Sequence, residues 1–184
     1  MSNLVIVLVG PSGSGKTSLS CMLVDFGFYK PITCTTRSKR DSEKHGVDYF
    51  FLSEYEFLQR KELGKLADWD NIFGCWYGIE KSQVEDINKP IILAASYKGV
   101  ENLKESTNKK VISVFLNPPS KNEIECRIND RDGSVCKDNL KKRMTSFDSE
   151  MENMSKCDYV VSTDQAIEKS LEDILCIHSK FGLI

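Results

Sequence analysis

The sequence predicts an α/β fold: a parallel sheet flanked by helices, carrying a small mixed insert. Three observations predict it. Leu4-Val-Ile-Val-Leu-Val9 is a continuous apolar run that ends at Gly10. A Gly- and Ser-rich turn follows. Residues 16–26 then place Leu19, Leu23 and Phe26 at helical spacing. An apolar run without alternation is the pattern of a strand buried on both faces, as in a parallel sheet. A length of 184 residues fits one domain with room for an insert and can bury a full core.

The remaining elements follow in order. Residues 33–48 are polar and charged with no periodicity, and Tyr49–Leu52 reads as a short strand. Ser53-Glu-Tyr-Glu56 is a capping box that starts a helix running to about Arg60. Residues 66–79 read as two short strands around Phe73-Gly74. The small mixed insert therefore spans 33–79, between core segments 1–32 and 80–184. Lys81–Asn88 is expected as helix and Ile91–Ala95 as a core strand that runs out into a loop. Val111–Leu116 is a third core strand. Ser120 and Glu123 form a second capping box. Residues 130–139 form a polar loop, Leu140–Met154 a helix, Tyr159–Val161 a strand and Gln165–Lys180 a closing helix.

Gly10-Pro-Ser-Gly-Ser-Gly-Lys-Thr17 matches G-x-x-x-x-G-K-[ST] in full. Its glycines let backbone N–H groups converge on phosphate oxygens, and the helix N-terminus adds partial positive charge. Gly10, Pro11, Ser12, Gly13, Ser14, Gly15, Lys16, Thr17 and Ser18 are the candidate ATP-binding residues. Lys16 reaches toward the β- and γ-phosphates, and the Thr17 hydroxyl is the candidate Mg²⁺ ligand. A chance Gly/Ser loop is the bland alternative. The strand before the motif and the helix after it decide for a phosphate loop, and so for a P-loop NTPase-type sheet.

A second cluster lies at Thr33-Cys-Thr-Thr-Arg-Ser-Lys-Arg-Asp-Ser-Glu43, continuing through Gly46-Val-Asp-Tyr-Phe-Phe51. Arg37, Lys39 and Arg40 fall beside Thr33, Thr35 and Thr36, and Tyr49 follows. Guanidinium groups, hydroxyls and a phenol can together clamp a phosphate dianion. Alone, the cluster reads as a solvated basic loop; beside a phosphate loop it reads as an acceptor site.

The order of phosphate loop, T-T-R-x-x-R-x-x-E, G-V-D-Y-F-F and W-Y-G resembles the guanylate kinase family over almost the whole chain. The resemblance implies ATP at the phosphate loop, a nucleoside monophosphate in the insert, and a helical lid at about 126–143 that closes over both. It makes Arg37, Arg40, Tyr49 and Tyr77 the acceptor-phosphate clamp. Thr33 stands where the family usually has Ser, and Glu43 matches the acid that supports the loop. Asp68 stands where the family has the Glu that reads the guanine N1/N2 edge. Arg127, Arg131 and Arg143 match arginines that reach the transferring phosphate. Lys16 and these three arginines are the catalytic candidates, and ordinary surface arginines are the alternative for the last three.

The resemblance breaks at three positions. The family strand that aligns with Ile91–Ala95 carries two acids spaced D-x-D, one near the metal and one on the guanine amino group. They fall on Ala94 and Ser96. A small hydroxyl residue that bonds guanine O6 is replaced by Ile79. An apolar Ile79 facing O6 would leave a buried acceptor unpaired, at about 1–3 kcal/mol. At a factor of ten per 1.4 kcal/mol, selection for guanine would weaken by ~10–100-fold. Loss of the acid at Ala94 is less decisive, because Mg²⁺ keeps several waters and is held by few protein groups plus phosphates.

Composition excludes several classes. Net charge is −2, so no global basic field favours nucleic acid. The seven cysteines are odd in number and contain no C-x-x-C pair, against both a zinc site and a disulfide framework. Reduced thiols in the cytoplasm are the simplest expectation. The apolar N-terminal run is too short to span a bilayer and lacks a signal-peptide layout. His45 and His178 read as surface or helix-face residues, Cys34 as a buried or loop thiol, and Trp69 and Trp76 as packing of the insert.

The expected function is transfer of the ATP γ-phosphoryl group to a nucleoside monophosphate, GMP or dGMP first, by a monomer or homodimer independent of nucleic acid and membrane. One rival is the same chemistry on another nucleotide or a sugar phosphate. The other is an inactive guanylate-kinase-like binding module, which would be expected to lose the phosphate-loop and lid residues that remain here.

Overall fold

The structure is a computed structural model that describes residues 3–41, 43–72, 74–132 and 137–181, with backbone alone at 130–132 and 137–143. Its larger sheet consists of β1 (Leu4–Val9), β6 (Ile91–Ala94), β7 (Lys110–Asn117) and β8 (Tyr159–Ser162). The order is β6-β1-β7-β8, and every pairing is parallel. All six residues of β1 are buried, as a strand central to a two-sided sheet requires.

The two faces divide that strand. Leu4, Ile6 and Leu8 pack under α1 (Lys16–Val24) and α7 (Ile167–Ser179), against Leu19, Leu23, Leu171 and Ile174. Val5, Val7 and Val9 pack on the other side with Val100 and Leu103 of α4 (Tyr97–Ser106) and with Val84 of the short α3 (Ser82–Glu85). Full burial of such a side chain is worth about 1.5–3 kcal/mol.

The smaller sheet is mixed. It contains β2 (Cys34–Thr35), β3 (Phe50–Phe51), β4 (Leu66–Ile72) and β5 (Cys75–Glu80) in the order β3-β2-β5-β4. One face packs on α2 (Glu54–Glu62) through Cys34, Phe57, Leu66, Trp69 and Trp76. The expected capping box is formed in full: Ser53 Oγ accepts from Glu56 N at 3.2 Å, and Glu56 Oε2 accepts from Ser53 N at 2.8 Å. Ala67 and Ile79 join the small sheet to the underside of the large one.

Beyond β7, α5 (Lys121–Asp132), α6 (Lys137–Met151) and a 3₁₀ turn (Glu152–Lys156) lead back to β8. The two helices occupy both ends of the expected polar loop at 130–139, and its middle, 133–136, lies outside the described residues. The expected loop after β6 is α4 instead. Ser96 caps it by accepting from Gly99 N at 3.2 Å, and Gly99, Val100 and Leu103 form its buried side. The Gly99 at its start obscured the helical spacing in the sequence. Among the described residues, no helix is long and apolar enough to cross a membrane.

Candidate active site

The loop from Gly10 to Gly15 connects β1 to α1. Ser14 N donates to Pro11 O at 3.1 Å, closing the turn. Gly15 caps α1 at φ 93°, a left-handed conformation that suits glycine. No side chain caps this helix and its first turn carries no acid, so its first N–H groups and its positive dipole end face the loop. Lys16 Nζ donates to Pro11 O at 2.9 Å and to Gly10 O, which folds the ammonium over the loop. Thr17 and Ser18 are exposed beside it, while Ser14 is buried. Ser14 Oγ has no hydrogen-bond partner among the described residues, so the loop leaves a hydroxyl unsatisfied.

Glu150 of α6 lies near Lys16 of this loop, and no motif in the sequence marks it. Burial pushes its carboxyl up, while the Lys16 charge and a 2.9 Å hydrogen bond from Ser146 oppose that shift. Arg127 on α5 donates to Glu123 Oε1 at 3.2 Å and to Thr163 O at 3.3 Å, tying α5 to the chain after β8. Arg131 and Arg143 belong to α5 and α6, and their side chains lie outside the described part.

The basic cluster is assembled around Glu43. Arg37 Nη2 meets Glu43 Oε1 at 2.7 Å, Arg40 Nη1 lies 3.6 Å from the same oxygen, and Arg40 N donates to Oε2 at 2.9 Å. Burial works against the charge on both Arg37 and Glu43. Their mutual hydrogen bond and charges, joined by Tyr77 beside Arg37 and by Arg40 beside Glu43, together outweigh it, holding Arg37 above its usual range and Glu43 below. The Arg37 guanidinium lies 5.3 Å from the Tyr49 ring centre and 5.8 Å from that of Phe51. Tyr49 and Tyr77 meet edge to face at 6.3 Å. Burial also pushes the Tyr49 phenol up, so it remains a hydrogen-bond donor near neutrality for a phosphate on this face. Thr36 Oγ1 accepts from Trp76 N at 2.9 Å, and Phe50 N donates to Thr33 O at 2.9 Å. These bonds lock the 33–37 segment between β3 and β5.

Strand alternation places Asp68, Asp70, Tyr77 and Ile79 on one face, because Asp68 pairs with Ile79 and Asp70 with Tyr77. Trp69 and Trp76 point to the opposite face and pack against Phe57, the packing role expected of them. Asp68 is only 6% exposed. Its Oδ1 accepts from Asn102 at 3.1 Å, and a Cβ on Gly99 would come within 2.7 Å of its Oδ2. Only glycine lets α4 approach that closely. Burial first, and the nearby Asp70 charge second, push the Asp68 carboxyl up to about 6; the Asn102 hydrogen bond and Lys98 oppose them.

Ile79 is 2% exposed, packed with Ala67 and Val84 beneath the sheet. Ala94 is exposed at the end of β6. Ser96 Oγ donates to Asp70 Oδ2 at 2.7 Å. Asp70 and Asn102 are site residues that sequence reasoning missed, since their partners lie 26 and 34 positions away. Cys34 is fully buried, and burial pushes its thiol up to about 11, so it is no nucleophile.

A phosphate loop at the head of a parallel sheet, in one chain with a basic cluster on a smaller sheet, defines a P-loop phosphotransferase architecture. Comparison with known proteins narrows the class. Residues 2–178 match the family model for guanylate kinase. A guanylate kinase of Ehrlichia canis is 32% identical over 182 residues, covering 96% of this chain and 86% of its own. One from the Wolbachia of Brugia malayi is 34% identical over 181 residues, covering 96% and 92%. The crystal structure of guanylate kinase from Anaplasma phagocytophilum superposes with a TM-score of 0.79 at 24% identity, covering 98% of this chain and 87% of that one. The chain belongs to the guanylate kinase family.

Proposed function

We infer that this chain transfers the γ-phosphoryl group of ATP to GMP or dGMP, yielding ADP and the nucleoside diphosphate. One observation carries the reading. A phosphate loop with an open helix N-terminus stands in the same chain as a clamp, Arg37–Glu43–Tyr49–Tyr77, whose face continues to the buried carboxylate of Asp68. The clamp suits a phosphate dianion, and the carboxylate suits the N–H donors of a guanine edge.

No side-chain nucleophile is needed. Positioning and charge neutralisation supply the rate in phosphoryl transfer. Lys16 neutralises the transferring group, with Arg127, Arg131 and Arg143 in a lid at about 126–143 as its partners. Arg37, Arg40, Tyr49 and Tyr77 aim the acceptor phosphate, with Thr33 at the edge of the clamp. The loop fits a nucleoside triphosphate: it presents uncapped N–H groups, an ammonium and an unsatisfied hydroxyl. A magnesium ion fits the Thr17 hydroxyl with phosphate oxygens and water as its other ligands. When bound, it neutralises charge on the triphosphate. Among the described residues no group of three or more His, Cys, Asp or Glu gathers to hold a metal. Six free thiols among the described cysteines support a reducing, cytoplasmic setting.

The test is ADP release with Mg-ATP and a panel of GMP, dGMP, AMP, CMP, UMP, dTMP and IMP. Turnover with GMP and dGMP well above the rest is expected. Turnover centred on another acceptor would overturn the base assignment, and failure to bind ATP would overturn the kinase reading.

A further inference from the structure

Resting on the guanylate kinase reading, the carboxylate missing from the end of β6 has a replacement in space. We propose that Asp70 reads the exocyclic amino group of the acceptor base beside Asp68, and that Ser96 acts as the residue that positions it.

Asp70 lies two residues beyond Asp68 on β4, on the same face, directly across from the clamp residue Tyr77. It therefore stands between the base end and the phosphate end of the acceptor site. Ser96 Oγ donates its single proton to Asp70 Oδ2 at 2.7 Å and accepts from Gly99 N at 3.2 Å. The serine hydroxyl is thus committed within the protein, and the group it presents to the site is the Asp70 carboxylate. Asn71 N fixes the other oxygen, Oδ1, at 2.8 Å. Each carboxylate oxygen still has accepting capacity after one such bond.

The electrostatics point to a donor-bearing ligand. Asp68 and Asp70 are close enough that the Asp70 charge raises the Asp68 carboxyl. Neither is in an ion pair among the described residues. Lys98 is the one cation whose charge reaches Asp68, and it forms no ion pair with either acid among the described residues; two such neighbouring carboxylates favour a ligand edge made of N–H groups. Guanine offers such an edge at N1–H and the 2-amino group. Hypoxanthine keeps N1–H and lacks the amino group, and adenine lacks both. Ile79 is withdrawn into the core, so the site distinguishes bases on this edge rather than at position 6.

The test compares GMP with IMP under Mg-ATP, following ADP release by the full chain and by D70N, S96A and D70N/S96D. The unaltered protein is expected to prefer GMP over IMP by at least about tenfold in kcat/KM, from the hydrogen bonds of the 2-amino group to charged acceptors. In D70N, kcat/KM for GMP is expected to fall by about 10–100-fold, mostly through KM, and the GMP-over-IMP preference to fall by a similar factor. S96A moves the preference in the same direction by less. In D70N/S96D the new carboxylate restores part of it. A purely structural Asp70 would change the melting temperature and leave the preference intact, which would overturn the proposal. So would equal turnover of GMP and IMP by the unaltered protein, a result that needs no variant to fold. Absence of GMP turnover by the unaltered protein would overturn the parent reading as well. Normal GMP turnover with an unchanged preference in D70N overturns only the role of Asp70.

Discussion

The two sheets of this protein are built in opposite ways. The parallel sheet is centred on an apolar strand: six consecutive residues of β1 are each 4% exposed or less. The mixed sheet has strands as short as two residues and a core of three buried side chains, Cys34, Phe57 and Leu66. It is held instead by specific polar contacts, such as Glu43 with Arg37, Thr36 with Trp76, and Ser96 with Asp70. Apolar burial is non-directional, so the large sheet tolerates change in detail but not in volume. Hydrogen bonds and ion pairs are directional, so the small sheet can aim groups at a ligand, and a single lost partner disturbs it.

The comparison can be broken first at its strongest point. Ile6→Ala, in a fully buried strand, is expected to destabilise the whole protein by about 2–5 kcal/mol, read as a lower denaturant midpoint. An unchanged midpoint would mean the core is not centred on β1. Lys16→Met leaves that core intact. It is expected to lower kcat by about 10²–10³-fold with little change in melting temperature, by analogy with removal of one stabilising donor from a reacting centre. Equal losses of activity and stability would make Lys16 a structural residue.

On the small sheet, Arg37→Ala is expected to raise the acceptor KM by about ten- to a hundredfold while ATP affinity holds, since it leaves Glu43 with Arg40 alone and removes one of the clamp's two guanidinium groups. A loss of ATP binding of similar size would show that the two sheets are not separable. A pH series sharpens the same contrast. Asp68 must be ionised to accept N–H groups, and its carboxyl lies at about 6. The acceptor KM is therefore expected to rise as pH falls through about 6, by up to about tenfold per unit, and Asp68→Asn to flatten the profile. Stability without ligand has the opposite sign. The raised carboxyl favours the protonated folded state, so its contribution is fully present below 3.8 and is lost as pH rises through about 6. The smallest effect is at the α2 cap. Ser53→Ala removes the hydroxyl that accepts from Glu56 N, leaving the Ser53 backbone N–H on Glu56 Oε2, and is expected to cost about 0.5–2 kcal/mol, visible in the melting temperature. A shift in GMP turnover without a shift in stability would sink that reading.

Much of this was legible in the residues. The apolar runs at Leu4–Val9, Ile91–Leu93 and Val111–Leu116 became the buried parallel strands, because a strand covered on both faces needs no alternation. Ser53–Glu56 became a capping box, because both partners lie within one turn. The helix α4 was missed although Ser96 at its cap and Val100 and Leu103 on one side were available as signals. Its glycine and polar content outweighed them until burial under the sheet was visible.

The sequence by itself determined the phosphate-loop motif and the parallel core, and the family resemblance supplied the proposed clamp residues. The first two depend on a run of neighbours whose spacing fixes the outcome. The tertiary structure alone decided the side-chain contacts at the base end of the proposed acceptor site. Asp70 meets Ser96, and Asn102 meets Asp68, only after β4 and α4 pack together, with Gly99 leaving the space that the Asp68 carboxylate occupies. Contacts between groups 26 and 34 residues apart carry no local spacing signal, because they are set by how two elements dock rather than by the period of either one.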